Sequence, residues 1–131
     1  MKTILLTAFA FISLNLYAQK AEDAIKFSTT KYSFGKIPQH VPITYSFTFI
    51  NKGKERIIIE DATADCGCTK PQIPMQPILP GKTGAVKVTY NAETLGTFNK
   101  KVYVKLIGYE ERITLTITAG VSPKKLIREK A

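Results

Sequence analysis

Hydrophobic and polar positions alternate with a period of two through most of this chain. That is the spacing of strands with one face on a core and the other in water. Between Ile43 and Phe49, the residues Ile43, Tyr45, Phe47 and Phe49 are apolar while Thr44, Ser46 and Thr48 are small and polar. Asn51-Lys52-Gly53 then predicts a turn, with Gly53 free to take a positive φ. Arg56 to Glu60 is short and β-branched, with Ile57 and Ile59 on one face. Pro80-Gly81 and Gly84 mark a turn before Ala85 to Asn91, where Val86, Val88 and Tyr90 share a side. Phe98 to Ile107 points Phe98, Val102, Val104 and Leu106 inward and Lys101, Tyr103 and Lys105 outward. Arg112 to Ala119 alternates most cleanly, Ile113, Leu115 and Ile117 against Thr114, Thr116 and Thr118. Ile25 to Thr29 and Tyr32 to Ile37 are weaker and edge-like, and Gly35 and Pro38 fit a bend or bulge there. Short strands near ten residues apart, with turn signals between them, predict an all-β sandwich.

The first residues break this pattern. Met1-Lys2 is a short positive lead, Thr3 to Leu16 is an uncharged apolar run, and Ala18 is a small residue placed for signal-peptidase cleavage. Residues 1–18 are therefore expected to be a signal peptide, cut between Ala18 and Gln19, and the protein to be exported to the periplasm or beyond. The apolar run is shorter than the roughly 20 residues that a membrane-spanning helix needs. No second such stretch follows, so no transmembrane segment is expected in the mature chain. The remainder suits one domain, placed at 24–120, with a basic C-terminal tail at 121–131 carrying Lys124, Lys125, Arg128 and Lys130. A formal charge of +9, worn by an exported chain, implies meetings with anionic envelope polymers and lipids and disfavours nucleic acid.

Covalent chemistry has one plausible location. The only two cysteines stand in Asp65-Cys66-Gly67-Cys68-Thr69, and export would carry them to where disulfides persist. In an extended segment their Cα atoms would lie about 6.6 Å apart, near the upper limit for a disulfide, so a bridge needs the tighter turn that Gly67 permits. So small a ring stabilises by only about 1.6 kcal/mol before strain is subtracted. Such a bridge is a poor staple and is expected to be labile. Three readings remain open. The cysteines pack as small hydrophobes or close a tight turn; or they form an exchanging dithiol, with Lys70 favouring the thiolate and Asp65 opposing it; or they bind a soft ion such as Cu(I), with His40 or Met75 as third ligand. No Cys-x-x-Cys or βαβ pattern accompanies the pair.

No Gly-x-Ser-x-Gly elbow, phosphate cradle or calcium loop is present, and the single histidine, His40, limits any catalytic pairing. The expectation is a monomeric, non-enzymatic binding or structural module with no cofactor. Its partner would be a protein or an anionic envelope polymer, met through the strip Lys101, Tyr103 and Lys105.

Several pieces occur in a telling order. Phe34-Gly35-Lys36-Ile37 precedes Phe47-Thr48-Phe49-Ile50-Asn51-Lys52-Gly53, and Cys66-Gly67-Cys68-Thr69 follows. Ile78-Leu79-Pro80-Gly81-Lys82-Thr83-Gly84, Val88-Thr89-Tyr90-Asn91 and Gly96-Thr97-Phe98 complete the series. Over Ile25 to Ala119 the chain resembles a family of exported bacterial proteins of unknown function that carry a Cys-Gly-Cys-Thr motif. That family is similar to the immunoglobulin-like ASH or HYDIN domains, relatives of the major sperm protein fold. The resemblance implies an immunoglobulin-like β-sandwich of about seven or eight antiparallel strands and implies no reaction. The chain departs from antibody-type domains in having no tryptophan and no cysteine pair placed to bridge two sheets.

Overall fold

The computed structural model describes residues 19–124; the expected signal peptide and tail positions 125–131 lie outside them. A single helical turn, α1 (Ala21–Ala24), leads into β1 (Ile25–Phe27), β2 (Lys31–Pro38), β3 (Ile43–Asn51) and β4 (Ile59–Ala64). Then come β5 (Thr69–Gln72), β6 (Thr83–Tyr90), β7 (Gly96–Leu106) and β8 (Ile113–Ser122). They form two four-stranded sheets, one ordered β1-β3-β6-β5 and the other β2-β8-β7-β4. This is an immunoglobulin-like sandwich, all-β as the alternation predicts.

The period-two pattern explains the core. Phe47 and Phe49 of β3, Val86 and Val88 of β6, Val102, Val104 and Leu106 of β7, and Leu115 and Ile117 of β8 are all buried between the sheets. Each such side chain contributes about 1.5–3 kcal/mol on leaving water. Two aromatic pairs clip sheet to sheet: Tyr32 on Tyr45 with centroids 3.7 Å apart, and Tyr90 on Phe98 at 3.8 Å.

Four features depart from the expectation. β2 pairs with β8 in parallel, whereas every other pair is antiparallel. Its register shifts between Ser33 and Lys36, where Gly35 takes φ +71°, so the anticipated bulge is present. Ile57 makes only an isolated bridge to Ile78, and β4 starts two residues later. β5 is an additional strand at the edge of its sheet, where Pro71 is tolerated. Gly53 has no positive φ; the turn is held by Asn51 instead.

Asn51 is fully buried and closes one end of the sandwich. Its Nδ2 donates to the carbonyls of Glu55 at 2.7 Å and Ile78 at 2.8 Å, and its Oδ1 accepts from Gly53 N at 2.9 Å. Its backbone N donates to Lys82 O and its backbone O accepts from Gly81 N. One residue thus ties the β3–β4 loop to the β5–β6 loop. Beside it, Gly84 lets β6 run against the core: a Cβ there would lie 2.6 Å from Phe49 Cζ.

Candidate functional site

The opposite end of the sandwich carries the cysteines. The chain leaves β4, at the edge of one sheet, and enters β5, at the edge of the other, through Asp65-Cys66-Gly67-Cys68. Cys66 and Cys68 are joined as a disulfide with Cα atoms 5.2 Å apart, inside the ordinary range. A turn has therefore shortened the extended spacing. Gly67 achieves this without a positive φ, and a Cβ on it would meet open space.

Backbone bonds hold this turn on both sides. Asp65 N donates to Lys101 O at 3.1 Å, and Lys101 N donates to the Asp65 carboxylate at 3.0 Å, continuing the β4–β7 ladder. Asn91 N donates to Cys68 O at 3.0 Å, and Thr69 N donates to Cys66 O at 3.3 Å. Both cysteines are half-buried, and the Thr69 hydroxyl lies 3.8 Å from each sulfur. Cys68, but not Cys66, lines an open cleft of about 270 Å³ with Pro42, Gly67, Lys70, Thr89, Asn91 and Glu93.

Neither suggested third metal ligand joins the pair. His40 is exposed, with φ 65°, and its N–H donates to Ala92 O; Met75 is almost wholly exposed. Among the described residues no three His, Cys, Asp or Glu side chains converge on a point. With the sulfurs bonded to each other, soft-metal binding would require prior reduction of the pair.

Lys101, Tyr103 and Lys105 project from the outer face of β7, alternating with buried Val102 and Val104, but their side chains are committed differently. Lys105 Nζ donates to the carbonyls of Leu106 and Tyr109 and lies 3.7 Å from the Glu60 carboxylate. Hydrogen bonding toward the Asp65 carboxylate, then desolvation, then the carboxylate's charge, hold the pKa of the Tyr103 phenol above the usual 10.0. Lys101, unlike Lys105, enters no ion pair among the described residues.

Lys101 has instead a neighbour that the alternation did not reveal. It registers with Thr116 of β8, and Thr116 registers on its other side with Lys31 of β2. The two lysines thus flank one threonine, two strand spacings or about 9.6 Å apart. They line an open groove of about 590 Å³ with Ser33, Asn99, Thr114 and Thr118. The signal for Lys31 lies in the parallel β2–β8 pairing, which no local pattern encodes.

Comparison with known proteins supports the fold. A Porphyromonas gingivalis W83 protein of unknown function superposes with TM-score 0.64 and 11% identity, over 74% of this chain and 46% of its own. The ASH/PapD-like domain 7 of human CEP192 gives TM-score 0.58 at 6% identity, over 76% of this chain and 86% of that one. The Vibrio cholerae VesB protease gives 0.56 at 14% identity, over 77% of this chain and only 33% of the protease. The chain thus spans under half the length of the Porphyromonas and Vibrio proteins, and at these identities the likeness concerns fold alone. No curated protein matches it. Residues 25–121 match the family described as protein of unknown function DUF1573, and the chain belongs to that family.

Proposed function

We propose that this protein is an exported, non-enzymatic binding module of the cell envelope, acting in the periplasm or outside the cell. Its contact surface is the outer face of β2, β8 and β7, and its partner is a protein that presents an acidic segment. The row Lys31–Thr116–Lys101 carries this reading. Two ammonium groups that make no ion pair among the described residues sit on the strands flanking β8 with threonine hydroxyls between them, and no acidic side chain lines the groove. Such a surface attracts carboxylates at long range and offers hydroxyls as hydrogen-bond partners at contact. Export rests on the charged lead, apolar run and small residue at Ala18.

The test is binding of a fluorescent polyglutamate peptide, followed by anisotropy at several salt concentrations. Affinity should fall with salt, and Lys31→Glu/Lys101→Glu should lose about tenfold or more, since each reversal replaces attraction with repulsion. Lys105→Gln should bind nearly as well as the wild type, because Lys105 is already spent on Glu60 and two carbonyls. Binding that ignores both salt and the double reversal would sink the proposal. Binding of polyphosphate but not of the peptide would assign the face to an envelope polymer instead.

A further inference from the structure

The disulfide is poorly accounted for as a structural element. It encloses a single residue, and a ring that small restricts the unfolded chain very little. The turn it closes is already tied to β7 through Asp65 and Lys101 and to the end of β6 through Asn91 and Cys68. Nor does it bridge the two sheets or sit in the core: both cysteines are half-buried at one end of the sandwich. Opening it would leave every one of those backbone bonds available to hold the turn.

The surroundings suit chemistry better than stapling. Of the two sulfur-bearing residues only Cys68 faces the cleft, so a reagent entering there meets Cys68 first. Lys70 lines the same cleft and offers a positive charge to an arriving thiolate; Glu93 lines it too and opposes that charge from the other loop. Thr69, itself buried, holds its hydroxyl 3.8 Å from Cys66 Sγ and equally 3.8 Å from Cys68 Sγ, so it can serve whichever sulfur departs. From there it can donate a hydrogen bond to the sulfur as charge develops, which makes the departing thiolate a better leaving group. The cleft's volume of about 270 Å³ admits a side chain and its immediate neighbours rather than a large ligand.

We propose that the Cys66–Cys68 disulfide is a thiol–disulfide exchange site, which takes two electrons from a dithiol on another protein through attack at Cys68 from the cleft. In the first step a partner thiolate attacks Cys68 Sγ. A partner–Cys68 mixed disulfide forms, the Cys66–Cys68 bond breaks, and Cys66 leaves as the thiolate beside Thr69. In the second step the partner's other thiolate attacks the partner sulfur of the mixed disulfide and releases Cys68 as a thiolate. The partner gains a disulfide, the Cys66–Cys68 pair becomes a dithiol, and the two thiolates take up the protons that the partner's thiols gave up. Two electrons pass per chain, and no other reagent is needed for this single exchange. This function goes beyond partner binding at the Lys31–Lys101 groove, and its exchange steps use none of that groove's side chains.

The experiment uses the purified, oxidised full chain and a reduced synthetic peptide containing Cys-Gly-Gly-Cys, with a one-thiol peptide as control. After acid quenching and alkylation, mass spectrometry should find about one peptide oxidised per chain reduced, as two-electron exchange requires. The one-thiol peptide should stop at a mixed disulfide. Position is read separately with reduced Cys66→Ser and Cys68→Ser proteins and the peptide in an aromatic-disulfide form. Cys66→Ser, which keeps Cys68, should react about tenfold faster, reflecting access from the cleft. Lys70→Glu should slow the wild-type reaction while leaving its stoichiometry unchanged. A dithiol peptide that stays reduced beside an intact Cys66–Cys68 bond would overturn the proposal, and the wild-type measurement does not depend on any variant folding. Faster reaction at Cys66 would overturn the assignment of Cys68 as the attacked sulfur.

Discussion

The two ends of the sandwich are closed by different kinds of bond. At one end a single amide, Asn51, joins two loops with no covalent help and is wholly shielded from water. At the other end a covalent bond lies half in solvent across a turn that backbone hydrogen bonds already hold. The weaker bond type therefore occupies the place where its loss costs most. A buried hydrogen bond is expensive to leave unmade, because its partner is stranded without water. A disulfide across one residue removes little freedom from the unfolded chain. Bond strength and contribution to stability are separate quantities here, and position decides the second.

Substitutions at the two ends should separate them. The largest effect belongs to Asn51→Ala, which takes one of two donors from the Ile78 carbonyl, leaving it only Ile57 N–H, and releases the Glu55 carbonyl and Gly53 N–H. A loss of about 3 kcal/mol is expected, seen as a fall in Tm of about 10 °C or more. Asn51→Asp keeps the shape without the donor and should be at least as harmful at neutral pH. A thermal melt within a few degrees of wild type for either variant would break the comparison.

Next at this end is Gly84→Ala, whose Cβ would press on Phe49 Cζ at 2.6 Å and Ile78 Cδ1 at 2.9 Å. Overpacking of this kind should cost about 1–3 kcal/mol in urea unfolding. The cysteine end should be more forgiving. Cys66→Ser should lower stability by no more than about 1.6 kcal/mol, with the far-ultraviolet circular dichroism unchanged. A larger loss would make the disulfide structural after all.

Tyr103 supplies a pH-dependent contrast. Its pKa is raised in the folded protein, chiefly by the hydrogen bond to Asp65, so its neutral form is the one that folding favours. Its contribution is fully present below the ordinary value of 10.0 and is lost as pH rises through the raised folded value. Tyr103→Phe should therefore flatten the alkaline limb of the stability profile and leave the neutral region nearly level. The smallest effect is expected for Gly67→Ala, where the added methyl meets open space at an ordinary φ. A change within about 0.5 kcal/mol is anticipated.

Much of this architecture was legible along the chain because one face of a strand had to be buried. β3, β6, β7 and β8 each carry that constraint in plain alternation. β5 was not legible: Thr69-Lys70-Pro71-Gln72 has no such period, and its pairing is imposed by the neighbouring β6. β4 was displaced because Asp61-Ala62-Thr63-Ala64 is small and weakly patterned, whereas Ile57 reads as strand yet makes only a bridge. At the cysteines, the sequence showed the chemistry but not the company. Nothing local joins Asp65 to Tyr103, or turns Cys68 rather than Cys66 toward a cleft. The outward strip on β7 was visible as alternation, but its division of labour was not. Glu60 and the Tyr109 carbonyl claim Lys105 from other segments, and Lys31 reaches Lys101 only across a third strand.

The parallel pairing of β2 with β8 sets Lys31 beside Thr116 and Pro38 beside Ser122, near the two extremes of the domain. A chain delivered from its N-terminus can build β3 against β6, and β4 against β7, while later residues are still arriving. It cannot give β2 a neighbour until the last strand is out. Until then one sheet keeps an unsatisfied rim and part of its apolar floor open. This order of assembly works as a clock. The fold completes only when its last strand arrives, and a chain cut short before β8 is left marked by an open edge that proteases and chaperones can recognise.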